Sequence, residues 1–115
     1  MLTLSLSPTM KKKLRTQIIG QTAHFFRELP STNDMAKELA LIGAEEGTVI
    51  AAETQTQGRG RLSRKWVSPK GGLWFSIILR PKVAVREAPK LTLAMSVAVA
   101  ETINKLFRLN VEIKW

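Results

Sequence analysis

The stretch Thr48-Val49-Ile50-Ala51-Ala52-Glu53-Thr54-Gln55-Thr56-Gln57-Gly58-Arg59-Gly60-Arg61-Leu62-Ser63-Arg64-Lys65-Trp66 passes from a β-branched, apolar run into a loop where glycine alternates with arginine ahead of an aromatic. Thr48 to Glu53, directly after Gly47, has the composition of a short strand, and Leu73 to Leu79 beyond the loop is again almost continuously apolar. Both read as strands, so the glycine-arginine loop joins sheet elements.

Working outward, Ser31 stands three residues before Asp34, the capping-box spacing, and Met35, Ala36, Leu39, Ala40 and Ile42 then recur at helical intervals up to Gly43. This predicts a helix of about ten residues. His24-Phe25-Phe26, after the linker-like Ile18-Ile19-Gly20, reads as a short strand. Downstream, Pro89 suits a helix start, and Leu93, Ala94, Val97, Ala98, Ala100, Ile103 and Phe107 make an apolar face whose small members allow close approach to a sheet. Val111, Ile113 and Trp115 are expected to open a further strand. Helices among hairpin-like strands predict an α+β fold, a mixed and largely antiparallel sheet with helices packed on one face. Residues 1–13 read as a flexible leader.

A length of 115 residues allows one small domain at most, since domains commonly run to roughly 100–150 residues. Hydrophobic residues make up 44% and charged residues 23%, a balance that supports a folded chain over a disordered one. No cysteine is present, which excludes disulfides and thiolate metal sites and suits a reducing, cytoplasmic setting. The apolar residues of the first eight positions precede Lys11-Lys12-Lys13, the reverse of a secretory signal, and no run approaches the ~18 apolar residues of a membrane span. His24 is the lone histidine and has no evident partners, so no metal site is expected.

The net charge of +9 points to anionic ligands or partners. Lys11 to Arg15 reads as a solvated charge run, whereas Arg59 to Lys70 contains no acid and overlaps the loop. The loop is not a Walker A motif, which needs Gly-Lys followed by Ser or Thr, and it lacks the third glycine of a dinucleotide fingerprint. Its glycines, Gly58 and Gly60, are expected to supply unusual backbone angles and close approach of N–H groups to a ligand. Arg59, Arg61 and Arg64 offer donor forks for carboxylate or phosphate, and Trp66 a flat apolar face. By composition alone a nucleic-acid-contacting segment stays open beside an active-site loop.

The loop lies within a longer ordered pattern: Pro30-Ser31-Thr32-Asn33-Asp34, Gly47 to Gln55, Gly58-Arg59-Gly60-Arg61, Trp66 to Ser76 with Gly71-Gly72-Leu73, and Ile113-Lys114-Trp115. This pattern resembles the catalytic domain of biotin protein ligases, also called biotin-[acetyl-CoA carboxylase] ligases, from about Leu14 to the last residue. The resemblance implies a biotin/lipoate ligase-like fold, with residues 14–115 as the N-terminal part of a catalytic domain. It also implies two reactions: activation of biotin by Mg-ATP to biotinyl-5'-AMP, then transfer to a lysine of a biotin carboxyl carrier protein.

Carried over by position, Ser31, Thr32 and Asn33 match the segment that contacts biotin, and Gln55 a glutamine reaching its ureido ring. Arg59, Gly60 and Arg61 match the carboxylate and adenylate clamp, with Arg59 and Arg61 in the catalytic role. Gly58, Arg64 and Trp66 match the loop over the adenylate, and Gly71 and Gly72 a tight turn beside the pocket. Ser31 and Thr32 also suit helix capping. Trp74 and Phe75 read as sheet packing rather than ligand contacts.

Past Trp115 the resemblance would continue with Pro-Asn-Asp, a pocket lysine, more strands and a small barrel. The truncated chain is therefore expected not to transfer biotin by itself, and unpaired apolar residues at 111–115 would allow self-association. Residues 1–29 are too few for the helix-turn-helix module of some members, which argues against nucleic acid as a partner. The alternatives are a lipoate-type acyl ligase fragment, with the same adenylation chemistry, and a basic nucleic-acid-binding module.

Overall fold

The computed structural model describes residues 8–114 together with the backbone of residues 4–5. The contact pattern divides the chain into two units, Met1–Arg80 and Pro81–Trp115. The first carries β1 (Leu4–Ser5), α1 (Pro8–Lys13), β2 (Ala23–Leu29), α2 (Thr32–Leu41), β3 (Val49–Gln55) and β4 (Trp74–Ile77). The four strands form one sheet in the order β1-β2-β3-β4. The β1/β2 and β3/β4 pairs are antiparallel, and the central β2/β3 pair is parallel, with Ala23 opposite Val49 and Leu29 opposite Gln55.

The mixed, largely antiparallel sheet is as expected, and its central pair is parallel for a mechanical reason. Parallel neighbours cannot be joined by a tight hairpin and need a crossover, which α2 supplies. The register has one consequence for the site: the carboxyl ends of β2 and β3 lie side by side, so the residues that follow each strand start from the same edge. Main-chain bonds continue the alignment past the strands, with the Thr56 N–H donating to Leu29 O at 3.0 Å and the Gln57 N–H to Pro30 O at 2.8 Å.

The helix expected after Ser31 is present over ten residues. Ser31 has extended backbone and its Oγ accepts from the Asp34 N–H, satisfying one of the orphan donors of the first turn. The helix ends before Gly43, at φ +96°, the left-handed position that glycine adopts without a Cβ penalty. Arg80 closes the same end, its guanidinium donating to Ala40 O at 2.9 Å and Ala44 O at 2.6 Å. Nothing in the helix's own sequence announces that contact.

Leu29, Ala36, Ile50, Ala52 and Ile78 form the buried core, with Phe26, Met35, Leu39, Ala40 and Ala44 packed on it. Leu29 and Ile50 are 1% and 0% exposed, so α2 and the middle of the sheet share one apolar seam. Fully burying each of these aliphatic side chains contributes about 1.5–3 kcal/mol.

Residues 8–13, read as part of the leader, form a short helix with exposed side chains, while residues 1–3, 6 and 7 lie outside the described ones. The second unit holds a 3₁₀ turn (Val85–Glu87) and α3 (Ala88–Phe107), which begins at the proline as expected and ends on Arg108 at φ +53°. The strand expected from Val111 is not formed over residues 111–114, and Trp115 lies outside the described residues. A strand needs a ladder partner, and the Val111 N–H instead donates to Asn104 Oδ1 at 2.7 Å. Among the described residues no helix is long and apolar enough to cross a membrane.

Candidate active site

Because β2 and β3 end side by side, the first turn of α2 and the start of the glycine-arginine loop meet at one edge of the sheet. A cavity of about 330 Å³ opens there, lined by Ser31, Thr32, Asn33, Gln55, Arg59, Trp66, Leu73, Trp74, Phe75 and Ser76. It falls in the range typical of small-molecule sites, about 300–1,000 Å³. The ten lining residues come from three separated segments, and six of them are ones the sequence singled out as site residues.

Polar side chains knit these segments together. The Thr32 N–H, an orphan donor of the helix start, gives its hydrogen to Gln55 Oε1 at 2.8 Å. Gln55 Nε2 in turn donates to Ser68 Oγ at 2.9 Å, and Ser68 Oγ donates to Trp66 O at 3.2 Å. Thr32 Oγ1 and Ser76 Oγ share a hydrogen bond at 2.9 Å, tying the helix to β4. Among the described residues no buried side-chain nitrogen or oxygen lacks a partner.

Gln57 to Pro69 is a hairpin that departs from the end of β3 and returns beside it. The Gln55 N–H donates to Ser68 O at 3.1 Å, the Trp66 N–H to Gly58 O at 2.8 Å, and the Gly60 N–H to Arg64 O at 2.7 Å. Its tip is a 3₁₀ turn over Arg61–Ser63, where Leu62 and Ser63 have φ of +56° and +57°. Here the expectation for the glycines is corrected. Neither Gly58 nor Gly60 has positive φ, and the left-handed positions fall on residues with side chains. Gly58 is required for another reason: a Cβ there would sit 2.5 Å from Trp66 O and 2.6 Å from Ser68 Oγ, a separation that real Cβ atoms do not show. Gly71, at φ +102°, does occupy the glycine-favoring turn expected beside the pocket.

The arginines are not equivalent. Arg59 lines the cavity and is ion-paired with Asp34 in the first turn of α2, both half-exposed. Arg61 and Arg64 are exposed on the hairpin, and their guanidinium groups have no ion pair or hydrogen bond among the described residues. Gly60, Arg61 and Arg64 lie outside the lining of the cavity, as does Gly58. A second, wider cavity of about 810 Å³ lies along the hairpin and includes Gly58, Arg59, Ser63, Lys65 and Trp66. Gln55, Arg59 and Trp66 line both cavities, which places them at the boundary between the two.

One reading made from the sequence gains a second part, and two residues enter that it did not use. Trp74 and Phe75, taken as sheet packing, line the smaller cavity from β4, and Trp74 Nε1 donates to Pro69 O at 2.9 Å. Both are partly buried in an edge strand, where a side chain can pack on the sheet and still present atoms to a neighbouring cavity, which composition alone does not reveal. Ser68 and Ser76 were not singled out at all. A lone serine carries no motif, and their importance depends on partners 13 and 44 residues away.

The cavity thus brings together hydroxyls, an amide, an arginine and aromatic faces, groups able to hydrogen-bond, to pair with an anion and to pack an apolar surface. The chain belongs to the biotin/lipoate A/B protein ligase family, whose model matches residues 25–115. It is 44% identical over 103 residues to the bifunctional ligase/repressor BirA of Bacillus subtilis, covering 89% of this chain and 32% of that protein. To the biotin--protein ligase of Homo sapiens it is 31% identical over 113 residues, 91% of this chain and 15% of the relative. Among solved structures, the biotin protein ligase of Aquifex aeolicus in complex with biotin and ATP superposes with a TM-score of 0.65 at 34% identity, covering 81% of this chain and 38% of that one. The chain thus spans about a third of the length of the bacterial relatives it matches.

Proposed function

We propose that this chain contributes the biotin- and adenylate-binding part of a biotin protein ligase. The observation that carries the reading is the convergence of Ser31, Thr32, Asn33, Gln55, Arg59 and Trp66 on one cavity. A ureido ring carries N–H donors and a carbonyl acceptor, and hydroxyl and amide groups can answer both. In the first step the biotin carboxylate attacks the α-phosphorus of ATP, forming the acyl-phosphate bond of biotinyl-5'-AMP and releasing pyrophosphate. In the second a carrier-protein lysine attacks the acyl carbon and AMP leaves.

Both steps bring negative oxygens together, and fixed positive charge at the meeting point lowers their barrier. Arg59 supplies it at the cavity, and Arg61 joins when the hairpin tip closes on the anion. Gly58 lets the arms of the hairpin lie close, Gly60 sits between the two clamp arginines, and Arg64 and Trp66 cover the adenylate. The cavity's polar lining is hydroxyl, amide and guanidinium, which fits anionic oxygens rather than a divalent cation, so Mg²⁺ belongs with the triphosphate. The carrier protein is the macromolecular partner, and a cysteine-free chain suits the reducing cytoplasm where that partner would be met.

Calorimetry with biotin, lipoate and a non-hydrolysable biotinyl-adenylate analogue tests this reading. Biotin and its adenylate should bind and lipoate should not compete. Arg59→Ala or Arg61→Ala should weaken the adenylate by about 1.5–3 kcal/mol, and Gln55→Ala by less, because hydrogen bonds to charged groups are the stronger ones. Tight binding of lipoate in place of biotin would move the assignment to the lipoate branch. Unchanged adenylate affinity in all three variants would refute the site.

A further inference from the structure

The amide of Gln55 is held at both ends by groups whose direction cannot be reversed. At one end the Thr32 N–H can only donate, so the atom 2.8 Å from it must be Oε1. At the other end Trp66 O can only accept, so the Ser68 hydroxyl spends its hydrogen there and offers a lone pair to Gln55 Nε2. Which end of a side-chain amide is oxygen and which nitrogen is fixed only by the hydrogen bonds around it. Here a turned amide would set Nε2 against the Thr32 N–H and Oε1 against a hydroxyl whose hydrogen is engaged. Ser68 is 4% exposed and Thr32 also 4%, so neither lost bond could be replaced readily by solvent.

We propose that Ser68 is a positioning residue for ligand recognition: it locks the Gln55 amide in one orientation and couples that orientation to the hairpin through Trp66 O. One N–H and one carbonyl lone pair of the amide remain free, and Ser68 determines that they face the ligand in a fixed order. The coupling also runs outward. Gly58 O accepts from the Trp66 N–H, and Gly58 has no room for a Cβ between Trp66 O and Ser68 Oγ, so the base of the arginine hairpin and the amide move as one unit. The ligand part of this inference rests on the biotin reading above, and the geometric part does not.

The Thr32 amide hydrogen is an internal gauge, since its acceptor is Gln55 Oε1. In the 115-residue chain, Ser68→Ala should accelerate Thr32 amide exchange about three- to ten-fold, the effect of weakening one hydrogen bond. Met35 and Gly47 amides, which donate to Ser31 O and Ile78 O, should keep their rates. In a Gln55→Met background, Ser68→Ala should add nothing to Thr32 exchange. An unchanged Thr32 rate in Ser68→Ala would overturn the proposal, as would equal acceleration at all three amides, which would mark Ser68 as merely structural. In the ligand arm, Ser68→Ala should weaken biotin in the Gln55 background and leave it unaltered in the Gln55→Ala background. Additive losses would overturn the proposal. Should Gln55→Ala itself leave biotin affinity unchanged, the biotin reading fails while the amide-exchange result still decides the geometric claim.

Discussion

Replacing Gly58 by alanine should open the arginine hairpin, whereas the same change at Gly60, two residues away in the same motif, should not. At Gly58 the new Cβ would lie 2.5 Å from Trp66 O, 2.6 Å from Ser68 Oγ and 3.1 Å from Gln55 Nε2. The first is backbone and the second belongs to a buried side chain, so relief requires the two arms of the hairpin to separate. Separation breaks the 2.8 Å bond from the Trp66 N–H to Gly58 O and the 2.9 Å bond from Gln55 Nε2 to Ser68 Oγ. Two hydrogen bonds at about 0.5–1.5 kcal/mol each, with overpacking strain of about 1–3 kcal/mol, give a loss of roughly 2–6 kcal/mol in hairpin closure.

At Gly60 the nearest atom is Trp66 Cε3 at 3.5 Å, an ordinary contact, and φ −95° with ψ −169° is extended backbone open to alanine. That change should be neutral or stabilise the hairpin by up to about 1 kcal/mol through the unfolded state. Amide exchange at Trp66 reads hairpin opening directly: protection should collapse in Gly58→Ala and persist in Gly60→Ala. Equal loss in both variants would refute the close-approach explanation and return the glycines to a shared need for flexibility.

Gly47→Ala should destabilise the first unit more than a surface change can, because φ is +84° and its Cβ would overlap the Ile18 carbonyl oxygen. Thermal melting should show a loss of at least about 1–2 kcal/mol. Leu29→Ala removes the most buried large side chain of β2 and should cost about 2–5 kcal/mol in chemical denaturation, and a cost under about 1 kcal/mol would mean that the core seam is not where the structure puts it.

Much of this molecule is local in origin and so was legible in the sequence. The ten-residue helix after Ser31 follows from a cap and a period of apolar residues, both contained in about a dozen consecutive positions. The strand before the loop and the strand after it follow from β-branched and apolar runs. The loop's positive charge follows from the chemistry of arginine whatever its shape, and its ordered neighbours carried the resemblance to the ligases. The parallel pairing of β2 and β3 was not legible, since strand direction depends on where a crossover returns rather than on either strand's composition.

Only tertiary structure could separate Arg59, which lines the cavity, from Arg61 and Arg64, because three arginines in one hairpin have the same chemistry and differ only in placement. It likewise reassigned Gly58 from backbone freedom to close approach, placed Trp74 and Phe75 among the cavity's lining residues, and brought in Ser68 and Ser76. A hydroxyl becomes specific only when its partners are fixed, and those partners arrive from other segments. The sequence determined which chemistry was available, through properties that each residue carries alone. The fold decided which of those groups meet, because distances between segments exist only once the sheet has set them side by side.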